Sequence, residues 1–120
     1  MHLRKEHSYL VNLIDDFCGK TALHVAIQYG DVNIVGFLLS QGANINKQDE
    51  EGQTPLFIAA RKKREDMVIL LLKQGADPAI SDKRGATPLD IAKSGYASEV
   101  IEVIETYIAD QEQVRLSTED

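Results

Sequence analysis

The sequence predicts an all-α solenoid of helix-turn-helix units with short β-turn fingers. The signal is a fixed period. Thr21-Ala22-Leu23 recurs as Thr54-Pro55-Leu56 and as Thr87-Pro88-Leu89, each copy 33 residues after the last. Gly19, Gly52 and Gly85 keep the same step two residues ahead of each threonine, and Gln41-Gly42-Ala43 returns as Gln74-Gly75-Ala76. A period of this length marks one supersecondary unit stacked on copies of itself. Such stacks make extended binding surfaces rather than closed catalytic pockets.

The middle unit, residues 49–81, shows why each element forms. Asp49-Glu50-Glu51-Gly52 is turn chemistry, with an Asp opening it and a Gly able to take positive φ. Thr54-Pro55 starts a helix: the hydroxyl caps free N–H groups, and Pro suits the first helical position. That helix is expected over 55–62, with Leu56, Ile58, Ala59 and Ala60 apolar and the alanines small enough for close stacking. A second helix is expected over 65–73. Its Met67, Val68, Leu70, Leu71 and Leu72 leave it apolar on most sides, so neighbours must cover both flanks. Gly75 ends it, and Asp77-Pro78 breaks any continuation.

This unit resembles the ankyrin repeat, whose length is 33 residues and whose signature is Thr-Pro-Leu-His-x-Ala. Thr21-Ala22-Leu23-His24-Val25-Ala26 departs from it at one residue, while Phe57 and Asp90 replace the histidine in the later units. The resemblance covers about residues 16–108. It implies a protein–protein interaction module and gives His24 a structural role, tying adjacent turns together. The expected divisions are a degenerate cap or remnant of a preceding repeat over 1–15, repeats over 16–48, 49–81 and 82–109, and a polar, acidic tail over 110–120 that frays into disorder after its first residues, which can extend the last helix. Leu3–Asn12 looks like the end of a further unit, which leaves open a regulatory or targeting segment of a larger enzyme or channel. In that case Ile27 and Leu39 are expected to lie exposed. Glu105 at the place of Leu72, and Lys93 at the place of Ala60, give the third unit the polar outer face an array needs at its end. Ile104 is accordingly expected to be less enclosed than its equivalent Leu71.

Composition bounds the function. The net charge of −6 gives nucleic-acid binding no general electrostatic support. No apolar run approaches the ~20 residues that span a bilayer. Cys18 is the only cysteine, which fits a reducing compartment, so an intracellular location is expected, cytoplasmic ahead of nuclear. His2 and His7 have no converging ligands, Cys18 no activating neighbour, and the carboxylates are dispersed over turns and helix ends. The sequence therefore offers no catalytic constellation, no metal site and no cofactor motif.

One stretch departs from the repeat pattern. Arg61-Lys62-Lys63-Arg64 puts four cations in the turn between the two helices of the middle unit, where the first unit has Gln28-Tyr29-Gly30-Asp31 and the third Ser94-Gly95-Tyr96-Ala97. Lys63 stands where the family usually has glycine. The cluster suits a partner with an acidic or phosphorylated segment. The competing reading is a solvated charge run partly neutralised by Glu65 and Asp66. Asp15, Asp16, Asp49, Glu50, Glu51 and Asp82 mark a negative rim of turn tips, where Asp is also preferred on backbone grounds. The candidate protein-binding residues are Arg61, Lys62, Lys63, Arg64, Gln28, Tyr29, Glu50, Glu51, Gln53, Lys83 and Arg84, presented on a concave surface of turn tips and first-helix ends.

Overall fold

The computed structural model describes residues 21–119, and the side chains of 21–113. The expectations placed on residues 1–15, Asp16 and Cys18 lie outside them. Within the described residues run α1 (Ala22–Tyr29), α2 (Val32–Ser40), α3 (Pro55–Arg61), α4 (Glu65–Lys73), α5 (Pro88–Ser94) and α6 (Ser98–Glu119). Helix α1 pairs with α2, α3 with α4 and α5 with α6, while α3 packs between α1 and α5. The described residues thus form an all-helical stack of three units, and the two helices of the middle unit start and end within a residue of their expected bounds.

Local chemistry sets each start. The Thr54 hydroxyl accepts from the Phe57 N–H (3.2 Å) and the Thr87 hydroxyl from the Asp90 N–H (3.2 Å). The Asp90 carboxylate answers by accepting from the Thr87 N–H at 3.0 Å, a reciprocal cap. In the first unit His24 takes that part: its Nδ1 accepts from the Thr21 N–H at 3.1 Å. The proton of a neutral ring then sits on Nε2, which donates to the Gln53 carbonyl of the next unit (3.1 Å).

Turn fingers join the units. The Asp49 carboxylate accepts from the Glu51 and Gln53 N–H groups, each at 2.9 Å, and Asp82 repeats the pattern with Arg84 and Ala86. Both aspartates are buried, so they hold their turns together and contribute nothing to an exposed acidic rim. Gly52 has φ 80°, and a Cβ there would stand 2.8 Å from the Lys83 backbone nitrogen. That room lets the Lys83 N–H donate to the Glu51 carbonyl at 3.0 Å, locking one finger to the next.

The core runs the length of the stack through Leu23, Ile27, Leu56, Ile58, Met67, Val68, Leu71, Val100 and Ile104. Three expectations are corrected. Ile27 is fully buried and Leu39 half-buried; the apolar side chains that α2 exposes are Val32 (37%), Ile34 (48%) and Phe37 (56%). Ile104 is as closed as Leu71, both at 0% exposure, because α6 lays this position against α4 and α5. The chain beyond Asp110 is helical to Glu119 rather than frayed. No Gly or Pro follows Gly95, and Glu, Gln, Ala, Leu and Arg all favour continuation. The outer face of the third unit carries an ion pair, Lys93 to Glu105 at 3.6 Å.

Leu71→Ala and Ile104→Ala should each cost ~2–5 kcal/mol in chemical denaturation, through lost transfer energy and a residual cavity. A markedly smaller loss at Ile104 would contradict its enclosure. A second expectation concerns acid. Hydrogen bonds from the Thr87 backbone N–H and, next, the Thr87 side chain hold the Asp90 carboxyl below its ordinary 3.8. A depressed carboxylate contributes stability above its unfolded value and loses it as pH falls through the folded one. Asp90→Asn should therefore flatten the decline in thermal stability below about pH 4. Parallel pH profiles for the two proteins would contradict the assignment.

Candidate functional site: the cationic turn edge

The candidate residues fall into two groups at opposite ends of α3. Glu50, Glu51, Lys83 and Arg84 are exposed on the fingers, with the Arg84 Nε 3.8 Å from the Asp82 carboxylate. Gln28, Tyr29 and Arg61–Arg64 lie at the helix-turn edge, one length of α3, roughly 10 Å, away. Gln53 belongs to neither group. It is 5% exposed, its N–H goes to Asp49 and its carbonyl to His24.

At the edge, Arg61, Lys62 and Lys63 are exposed and Arg64 is half-buried. The ion pairs formed among the described residues, Arg84–Asp82 and Lys93–Glu105, include none of the four. Glu65 and Asp66 follow directly in sequence and close no ion pair on them; the Asp66 carboxylate accepts from the Met67 N–H at 2.8 Å. Among the described residues, four cations thus stand without an ion pair in one turn of an acidic chain.

The backbone at this turn favours other residues. Lys63 has φ 60°, in the left-handed region, as do its equivalents Gly30 (81°) and Tyr96 (57°). Only glycine enters that region without a steric penalty. Arg64 is the N-cap of α4 and makes no capping bond, whereas its equivalent Asp31 accepts from the Ile34 N–H at 3.1 Å. A guanidinium has no acceptor, and a cation at a helix N-terminus opposes the macrodipole.

Packing fixes where two of the cations go. The Arg64 guanidinium lies over Gly30, where an added Cβ would overlap it, and its Nε is buried without a hydrogen-bond partner. The Lys63 side chain lies over Gly95 of the third unit, its Cε 3.3 Å from where a Cβ would stand. Tyr29 and Tyr96, next to these glycines, are 80% and 89% exposed. Tyr96 escaped the sequence reading, although its alignment with Lys63 places it at the same point of the turn.

Elsewhere an open groove of 720 Å³ lies against α6, lined by Asn46, Asp77, Thr87, Leu89, Tyr107 and Ile108 among others. Asn46 and Asp77 are engaged with each other there, the Asp77 N–H donating to the Asn46 side chain at 2.9 Å. Among the described residues no group of three His, Cys, Asp or Glu converges as a metal site, and no helix is long and apolar enough to cross a membrane.

The family model described as ankyrin repeats (3 copies) matches residues 3–82 and again 47–113. No curated protein matches the chain.

Lys63→Gly should raise stability by about 1 kcal/mol, the left-handed strain relieved being larger than the added freedom of the unfolded chain. Tyr96→Gly should move in the same direction. Denaturant titration decides it: a loss on either substitution would mean that side-chain packing outweighs the strain.

Proposed function

The chain belongs to the ankyrin repeat family, and from that premise we propose a non-catalytic module that binds another protein through a concave surface of turn tips and first-helix ends, with Arg61–Arg64 as its electrostatic focus. Ankyrin repeats generally serve as protein–protein interaction modules, which supports the class. The finer reading rests on one observation: four neighbouring cations that make no ion pair among the described residues. Unpaired charges at a surface steer association with a partner of opposite sign. The partner's complementary segment is acidic or phosphorylated. Cys18 as the only cysteine supports an intracellular setting, where thiols stay reduced.

With a partner captured from cell lysate, surface plasmon resonance of Arg61→Glu/Lys62→Glu should show slower association, with the deficit largest at low salt. Folding should be little affected, since exposed charge changes alter stability by about 0.5 kcal/mol or less. An association rate unchanged at low salt would return the cluster to a solvated turn.

A further inference from the structure

A second surface lies on the other layer of the stack. Helices α4 and α6 pack side by side, and an open groove of 390 Å³ follows their seam. Its lining comes from these two helices alone, apart from the fingers and the first-helix ends. The floor is apolar: Leu72 is buried, and Ile69, Val103 and Tyr107 are half-buried. The walls are the exposed Glu65, Glu99, Glu102 and Asp110, with Lys73 as the single cation of the lining. Helical spacing builds one side of it. Glu99, Val103 and Tyr107 stand four apart, as do Glu102, Thr106 and Asp110, which puts all six on one face of α6.

Stability does not account for these acids. Helix N-termini favour carboxylates, which covers Glu65 and Glu99 in the first turns of α4 and α6. That preference fades within one turn, and Glu102 and Asp110 stand beyond it. Nor does the repeat impose them, since α2, the second helix of the first unit, has no charged residue. Among the described residues, no ion pair closes on any of the four carboxylates. Glu99 and Glu102, neighbours on the helix surface, repel each other until a cation joins them.

The shape selects a helix as occupant. From Glu99 to Asp110 the wall rises about 16 Å at ~1.5 Å per residue, room for about three turns. The seam offers no strand edge, because α4 and α6 bond their backbone groups internally, so an occupant must satisfy its own backbone. Apolar side chains at i, i+3, i+4 and i+7 of such a helix meet the floor. Lys and Arg beside them cover its rim with their stems and bring their charges to the walls. Glu65, Glu99 and Glu102 gather where both helices begin, while Lys73 and Asp110 mark the other end, so the occupant's cations crowd toward one end. A second copy of this chain does not supply that pattern, for each of its six described helices holds at most one Lys or Arg.

We propose that the α4–α6 groove docks a basic amphipathic helix of another protein. This site is separate from the cationic edge, and its ligand has the opposite charge.

The probe is a fluorescein-labelled, Ala-rich peptide of about 18 residues, long enough to hold a helix, with a Leu stripe flanked by Lys. One twin has the same composition scrambled so that the leucines share no face, and a second carries Glu in place of Lys. Binding to the full chain is read by fluorescence polarisation. The patterned peptide should bind at least about tenfold more tightly than either twin. Glu99→Gln/Glu102→Gln should weaken it about tenfold. Glu105→Gln/Glu112→Gln, the same change of charge elsewhere on α6, should leave it within about twofold. Equal binding of the patterned and scrambled peptides overturns the proposal, as does no binding by the patterned one or an equal loss from the two double variants. Sedimentation of the chain alone tests the other occupant: a dimer that Glu99→Gln/Glu102→Gln dissolves would give the groove to a second copy and overturn the proposal. None of these readouts involves the partner of Arg61–Arg64, so either reading can fail alone.

Discussion

No unit of this stack can bury its own inner helix. Helix α3 has seven residues, far fewer than an isolated helix needs in water, and Pro55 through Ala60 are all buried. Their cover comes from α1 and α5 as much as from α4. Ala59 and Ala60 present so little side chain that the neighbours approach closely. The polar contacts follow from that approach: the His24 ring reaches the Gln53 carbonyl, and the Glu51 carbonyl reaches the Lys83 N–H, only because the units are in register. Helix, finger and register therefore stand or fall together.

The same constraint explains why an unfavourable turn survives. Stacking dictates where each second helix begins, so the connection must pass through positive φ whatever residue stands there. The first unit meets this with Gly30 and Asp31, a residue free of strain and then a capping carboxylate. The middle unit meets it with Lys63 and Arg64, which supply strain, an uncapped helix and a charge of the wrong sign for the dipole. Glu65 and Asp66 in the first turn of α4 offset the dipole without closing an ion pair on the cluster. Where local preference and fold disagree in this way, the residues are commonly held for something other than stability.

Most of the fold was legible because it repeats. Thr54 and Thr87 announced helix starts, Asp49 and Asp82 announced fingers, and a 33-residue step carried each reading from one unit to the next. What the period could not carry is the direction of a side chain within a unit. Gln53 reads as a polar turn residue, yet the finger folds inward at that point and buries it. Ile27 aligns with Ala60, but alignment does not say which flank of α1 is covered. The tail failed for another reason: its composition is polar, and polarity without a Gly or Pro stop does not end a helix already nucleated at Ser98. At the site, the cations were legible as a charge run. That those cations close no ion pair among the described residues, that Lys63 and Arg64 reach in opposite directions, and that Tyr96 stands exposed are visible only once three turns are side by side.

The central claim is that the turn at 61–64 gives up stability for recognition, and one double substitution measures both. Lys63→Gly with Arg64→Asp restores the left-handed glycine and the capping carboxylate while removing the two positioned cations. Guanidinium denaturation and partner binding of this variant should move in opposite directions: a gain of roughly 1–2 kcal/mol in stability, from relieved strain and a restored cap, with a large loss of affinity. A variant that is no more stable, or that binds as the natural sequence does, would contradict the account.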